Sequence, residues 1–133
     1  DILFIARRMV ILAAEDIGLA NPNALLLANA TFQACQQIGM PEARIPLAEC
    51  AIYLARSAKS NAAYVAINEA LELVRRTGAL SVPLHLRNAP TQLMKDLNYG
   101  SGYLYPHDYP GARVAQQYLP DALAGAKIIP DKQ

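Results

Sequence analysis

The chain has 133 residues, enough for one domain that buries roughly two thirds of the surface its unfolded form exposes. Its twelve basic and eleven acidic side chains leave a net charge of +1, which supplies no strong field to steer a polyanion or an anionic membrane. Charged residues are only 17% of the chain, against a usual value of about 25%, and apolar ones are 53%, so the surface is short of charge.

No apolar run approaches the roughly 18 residues of a membrane span, and the opening DILFIARRMV lacks the zones of a secretory signal. A soluble, cytoplasmic protein with no membrane partner is the expectation. The first residue is not methionine and already lies in an amphipathic pattern, as in a fragment of something longer. Cys35 and Cys50 each sit in an apolar helical pattern, which favours buried free thiols over a disulfide or a metal pair.

From Ile2 to about Asp16 apolar residues cover nearly every direction, so a first helix is buried on more than one side. A second follows in ANPNALLLANATFQACQQIG, with Asn21 as N-cap, Pro22 at the first helical position and Gly39 ending it in a left-handed conformation. Pro41 and Pro46 bracket a turn, after which Leu47, Ala51, Leu54 and Ala58 fall at helical spacing in a third helix. Ser60 caps a fourth, whose Ala63, Tyr64, Ile67, Ala70, Leu71 and Val74 form one stripe and which Gly78 stops; within it Glu72 faces Arg76. ALSVPLHLRNA reads as an extended connection or a short strand, and Pro90 restarts a short helix to about Leu97. Beyond Gly100 only short helical candidates remain. The pattern predicts a single all-α domain over 1–133 with an irregular, Gly/Pro/Tyr-rich C-terminal third.

Motifs for chemistry are scarce. Gly100-Ser101-Gly102 lacks the third glycine of a dinucleotide loop, and no GK[ST] is present to cradle phosphates. His85 and His107 are far apart with no cysteine near either, so a metal centre is not expected. Ser101, His107 and Asp108 have the composition of a catalytic triad, but adjacent His and Asp point different ways and Ser101 lacks a nucleophile elbow. Glu15 and Asp16 are neighbours that cannot face each other on a helix.

NYGSGYLYPHDYPGA, from Asn98 to Ala112, holds four of the seven tyrosines but no Lys or Arg to follow phosphates. Packing onto the helices, with Tyr99 to Tyr109 ordered and His107 and Asp108 holding the turn, is therefore preferred to a base-stacking platform. Arg7, Arg8, Lys59, Arg75, Arg76 and Lys95 are dispersed along the chain, so DNA binding through them is expected to be weak.

The more informative feature is an absence. Between Asp16 and Glu42 no charged residue occurs, although a helix lies inside. Asn29, Gln33, Gln36 and Gln37 fall as a stripe of neutral amides, while Ala24, Ala28, Thr31 and Cys35 form a second stripe small enough for close helix approach. A subunit interface on this helix, with Ala24 and Ala28 in it, and a helix solvated or enclosed within the monomer are about equally supported by pattern.

Five segments, RRMVILAAEDIGLANPNAL, GMPEARIPLAECAIYLA, KSNAAYVAINEAL, VPLHLRNAPTQLMKDLNYG and GYLYPHDYPGARVAQQYLP, closely resemble the C-terminal region of the replication-associated recombination protein A family. These are AAA+ ATPases that include the Werner-helicase-interacting protein and the yeast maintenance-of-genome-stability protein. The resemblance runs collinearly from Phe4 to about Pro120. It implies a bundle-like helical domain similar to the collar of clamp-loader subunits, one that assembles the parent into a homotetramer. It also implies a parent acting with ATP and Mg at stalled replication forks and DNA ends, near the nucleoid, with single-stranded DNA-binding protein as a partner. The ATPase motifs match no position here, so no catalytic residue and no cofactor is carried over and the chain is not expected to be an enzyme; a DNA- or protein-binding module is the alternative to assembly. Within the family pattern His85, Arg87 and Asn88 belong to one signature segment, and Tyr99, Tyr103, Tyr105, His107, Asp108 and Tyr109 fall in or beside the other.

Overall fold

The computed structural model describes residues 1–129, and among them the only regular elements are helical. The described residues divide into two compact units, one over Asp1–Glu72 and one over 73–129. Among the described residues there are five α-helices: α1 (Ile2–Leu12), α2 (Asn23–Ile38), α3 (Arg44–Arg56), α4 (Ala62–Thr77) and α5 (Gln92–Asp96).

In the first unit, Asp1 caps α1 by accepting the Leu3 N–H at 2.9 Å. The helix then widens into one π turn over Ala13–Ile17 and stops at Gly18, whose φ of 48° and ψ of −128° suit glycine. A second constraint holds there, because a Cβ on Gly18 would lie 3.0 Å from the Ser60 carbonyl oxygen. The Ser60 N–H donates to Asp16 O at 2.9 Å, so the end of α1 and the α3–α4 linker meet backbone to backbone.

Small residues set how closely α1, α2 and α3 approach. Ala13, Ile17, Ala24, Ala28, Cys50 and Leu54 form one core cluster; Ala6, Cys35 and Ala43 form another, with Phe32 and Leu47 against it. The expected small stripe on α2 is therefore real, since Ala24, Ala28, Thr31 and Cys35 are its buried residues. Thr31 satisfies its buried hydroxyl by donating to Leu27 O at 2.8 Å.

Three local expectations are corrected. Asn21 does not cap α2 with its side chain, because that amide reaches across to α3 and leaves Pro22 at the cap position. α3 begins at Arg44, with Pro46 inside its first turn where a missing N–H is harmless, and it buries Cys50 and Leu54 while Ala51 and Ala58 stay exposed. The tyrosine segment is not buried on helices, and its rings remain substantially exposed as described below. Other boundaries agree with expectation, with Gly39 and Gly78 ending α2 and α4 at positive φ and Ser60 accepting the Ala62 N–H; α5 begins at Gln92, two residues after Pro90, with Thr91 as its cap.

Cys35 and Cys50 are free and buried. Burial raises the Cys50 thiol above its ordinary pKa of 9.0, with a hydrogen bond to Thr31 acting in the opposite direction. The native state thus holds this proton more tightly than the unfolded chain does. That stabilisation is complete below 9.0 and is lost as pH rises through the native value. Iodoacetamide at pH 8 should accordingly leave both thiols unmodified in the folded chain and alkylate both in urea, as read by mass spectrometry; rapid native labelling would show that the helices open readily.

Candidate functional site

α4 carries the clearest unpartnered surface. Its 16 residues include none that is buried, and its apolar stripe is open, with Tyr64, Ile67 and Leu71 exposed by 46%, 55% and 48%. An amphipathic helix normally places such a stripe against another element. The outer face of α2 is a second unusual surface: Leu26, Asn29, Gln33, Gln36 and Gln37 are all exposed, and no charge lies among them. This removes enclosure within the monomer as an explanation of the amide stripe. It also corrects the placement of Ala24 and Ala28, which are buried in the core of this unit and offer nothing to a partner, because the small stripe faces α1 and α3.

Asn21 lies in a cleft of about 540 Å³ in the same unit, with Glu49, Tyr53, Arg56 and Ser57. Its Nδ2 donates to the Tyr53 hydroxyl at 2.8 Å and to Ser57 Oγ at 3.5 Å, and Ser57 Oγ donates to Tyr53 O at 2.7 Å. This network ties the start of α2 to α3 and contains no nucleophile-base pair. Periodicity could not find it, because Asn21 is equally suited to capping.

The second unit has no buried residue among those described, and hydrogen bonds fix its path instead. The Gly100 N–H donates to Leu84 O at 2.7 Å. A Cβ on Gly100 would lie 3.1 Å from Arg87 O, and its φ is 77°, so the HLRN segment and the NYGSG loop meet where only glycine fits well. Gln116 acts as a substitute strand: its Oε1 accepts the Leu104 N–H at 3.1 Å and its Nε2 donates to Leu104 O at 2.7 Å. His85 Nε2 donates to Gln117 O, bringing a third stretch of chain alongside.

These bonds assemble several of the expected signature residues. Arg87 Nε donates to Val82 O at 2.8 Å, and its guanidinium lies over the Tyr99 ring, 4.8 Å from the centroid. Arg87, His85, Asn88, Tyr103 and Tyr118 line a cleft of about 460 Å³. Another, of about 550 Å³, is shared by His85, Arg87, Asn98, Ser101 and Asp121. Tyr103, Tyr105 and Tyr109 are exposed by 45%, 53% and 38%, because the segment is held by turns at Pro106, Pro110 and the glycines rather than by burial of rings.

His107 packs its ring beside that of Tyr105, 5.2 Å between centroids, and Asp108 shares its short 3-10 turn. No hydrogen bond joins Ser101, His107 and Asp108 among the described residues, so they form no triad there. No group of His, Cys, Asp and Glu among the described residues could hold a metal ion. Of the dispersed cations, Arg7 and Arg8 lie on α1, Lys59 in the α3–α4 linker and Arg75 and Arg76 in the last turn of α4, all exposed. No described helix is long and apolar enough to cross a membrane.

The family model for the MgsA AAA+ ATPase C terminal matches residues 1–132. The chain belongs to this family. It is 47% identical over 128 residues to the replication-associated recombination protein A of Coxiella burnetii, covering 96% of the chain and 29% of that relative. The protein of the same name from Bacillus subtilis is 44% identical over 133 residues, all of the chain and 32% of the relative. The ATPase WRNIP1 of Dictyostelium discoideum is 44% identical over 128 residues, 96% of the chain and 15% of the relative. The chain therefore spans under a third of the length of these curated relatives.

Proposed function

We propose that this chain is the self-association domain of an AAA+ ATPase of replication-associated recombination and that it holds the parent together as a homotetramer. The observation that carries this reading is the open apolar stripe of α4, on a helix with no buried residue. The charge-free outer face of α2 is a second contact surface of the same kind, where Asn29, Gln33, Gln36 and Gln37 can pair with a symmetry mate without desolvating charge. ATP and Mg act in the remainder of the parent, whose action on fork DNA and DNA ends, with single-stranded DNA-binding protein, takes place in the cytoplasm. The names of the relatives support a role in replication-associated recombination.

Light scattering on the purified chain tests the assembly. A mass four times the 14.4 kDa of one chain is expected, together with no heat of ATP binding in a calorimetric titration. A monomer at about 100 µM, a concentration at which even weak association of roughly 5 kcal/mol is visible, overturns the reading.

A further inference from the structure

We propose that the unit beginning at Leu73 carries a binding site for single-stranded nucleic acid in the cleft between Arg87, His85, Asn88, Tyr103 and Tyr118, where bases stack on the tyrosines and Arg87 takes the phosphate. This proposal is independent of self-association.

Charge is the first support. From Leu73 to Ile129 six basic side chains stand against three acidic ones, a balance of +3 in a chain whose total is +1. The near-neutral whole thus conceals a cationic unit and an anionic remainder. Five of the seven tyrosines lie in the same stretch, together with both histidines. Basic and aromatic side chains interleaved in one place are what a single-strand groove uses, the cations for the backbone and the rings for the bases.

The fold supplies what the local sequence lacks. Asn98 to Ala112 contains no cation, but the Gly100 to Leu84 hydrogen bond lays the HLRN segment against that loop, and Arg87 comes to rest on Tyr99. Its Nε is spent on Val82 O, while its two terminal amino groups make no other hydrogen bond among the described residues. The guanidinium is thereby oriented in advance, with donors left for an anion. Among the described residues no carboxylate lines this cleft, in contrast to its neighbour, which includes Asp121. Tyr103 and Tyr118 are exposed by 45% and 52%, enough ring face for a base, and about 460 Å³ falls within the range of ligand pockets, roughly 300 to 1,000 Å³. The backbone around it is fixed by Gly100 and by the Gln116 amide, so little ordering is left for the moment of binding.

The chain has no tryptophan, so its tyrosines dominate intrinsic emission and report stacking directly. Titrating the complete chain with a 15-nucleotide oligothymidylate at 50 mM NaCl is expected to quench tyrosine fluorescence saturably, with Kd on the order of 10 µM, weakening as salt rises. Tyr103→Ala is expected to weaken binding by about 5- to 100-fold, whereas Tyr103→Phe keeps it, since stacking needs the ring and not the hydroxyl. Arg87→Gln is expected to lower the salt slope by about one, with circular dichroism confirming that the helices remain. Absence of saturable quenching overturns the site. So does binding that Tyr103→Ala leaves unchanged in a chain of intact circular dichroism, or equal affinity for a blunt duplex of the same length. A decaglutamate peptide that binds as tightly as the oligonucleotide and competes with it would assign the cleft to an acidic protein segment instead.

Discussion

Ile67→Glu combined with Leu71→Glu is expected to turn the assembled chain into monomers while leaving its helicity intact. Both residues lie in the middle of α4 on the stripe that the single chain leaves open, exposed by 55% and 48%. Covering an aliphatic side chain of this size in an interface stabilises association by roughly 1.5 to 3 kcal/mol, so losing two per subunit weakens a contact by about a hundredfold or more. Glutamate is a good helix former, and neither position contributes to the core, so the monomer should fold as before. Sedimentation of the variant beside the unmodified chain at low micromolar concentration decides it. If the variant keeps its mass, α4 does not hold the assembly, and Gln33→Glu with Gln36→Glu on the outer face of α2 becomes the test of the remaining surface.

Ile17→Ala should have the largest effect on stability. Ile17 is fully buried at the end of the π turn, and around it the core cluster consists of Ala13, Ala24, Ala28, Cys50 and Leu54. Helices that meet through alanine backbones cannot draw closer to fill the space that isoleucine leaves. The expected loss is about 2 to 5 kcal/mol, a large share of the roughly 5 to 15 kcal/mol that holds a domain folded. Urea unfolding followed by circular dichroism measures it, and a change below about 1 kcal/mol would mean that Ile17 packs loosely.

The helices and several of their limits were legible because each is written in adjacent residues. Gly39 and Gly78 mark ends through their positive φ, Ser60 offers a cap oxygen, and the periodicity of α2 picked out Ala24, Ala28, Thr31 and Cys35 as one stripe, all four buried. The same periodicity could not say what that stripe meets. Close approach within the chain and between chains call for the same small residues, and only the path of the connections puts α2 against α1 and α3. For α3 the pattern was half right: Leu47 and Leu54 of the expected stripe pack inward, but Ala51 and Ala58 do not, because alanines fit a core or a surface with little preference, and Cys50 joins Leu54 in the core once α2 is in place.

The sequence by itself determined that this chain is helical and poor in charge, since these depend on local backbone preference and composition. Tertiary structure alone decided that Asn21 bonds to Tyr53 rather than capping its helix, that Gln116 stands in for a strand, and that Arg87 lies on Tyr99. Each of these joins groups many residues apart. Their free energy depends on a few tenths of an ångström and on the turns between them, and neither is written in the spacing of residue types.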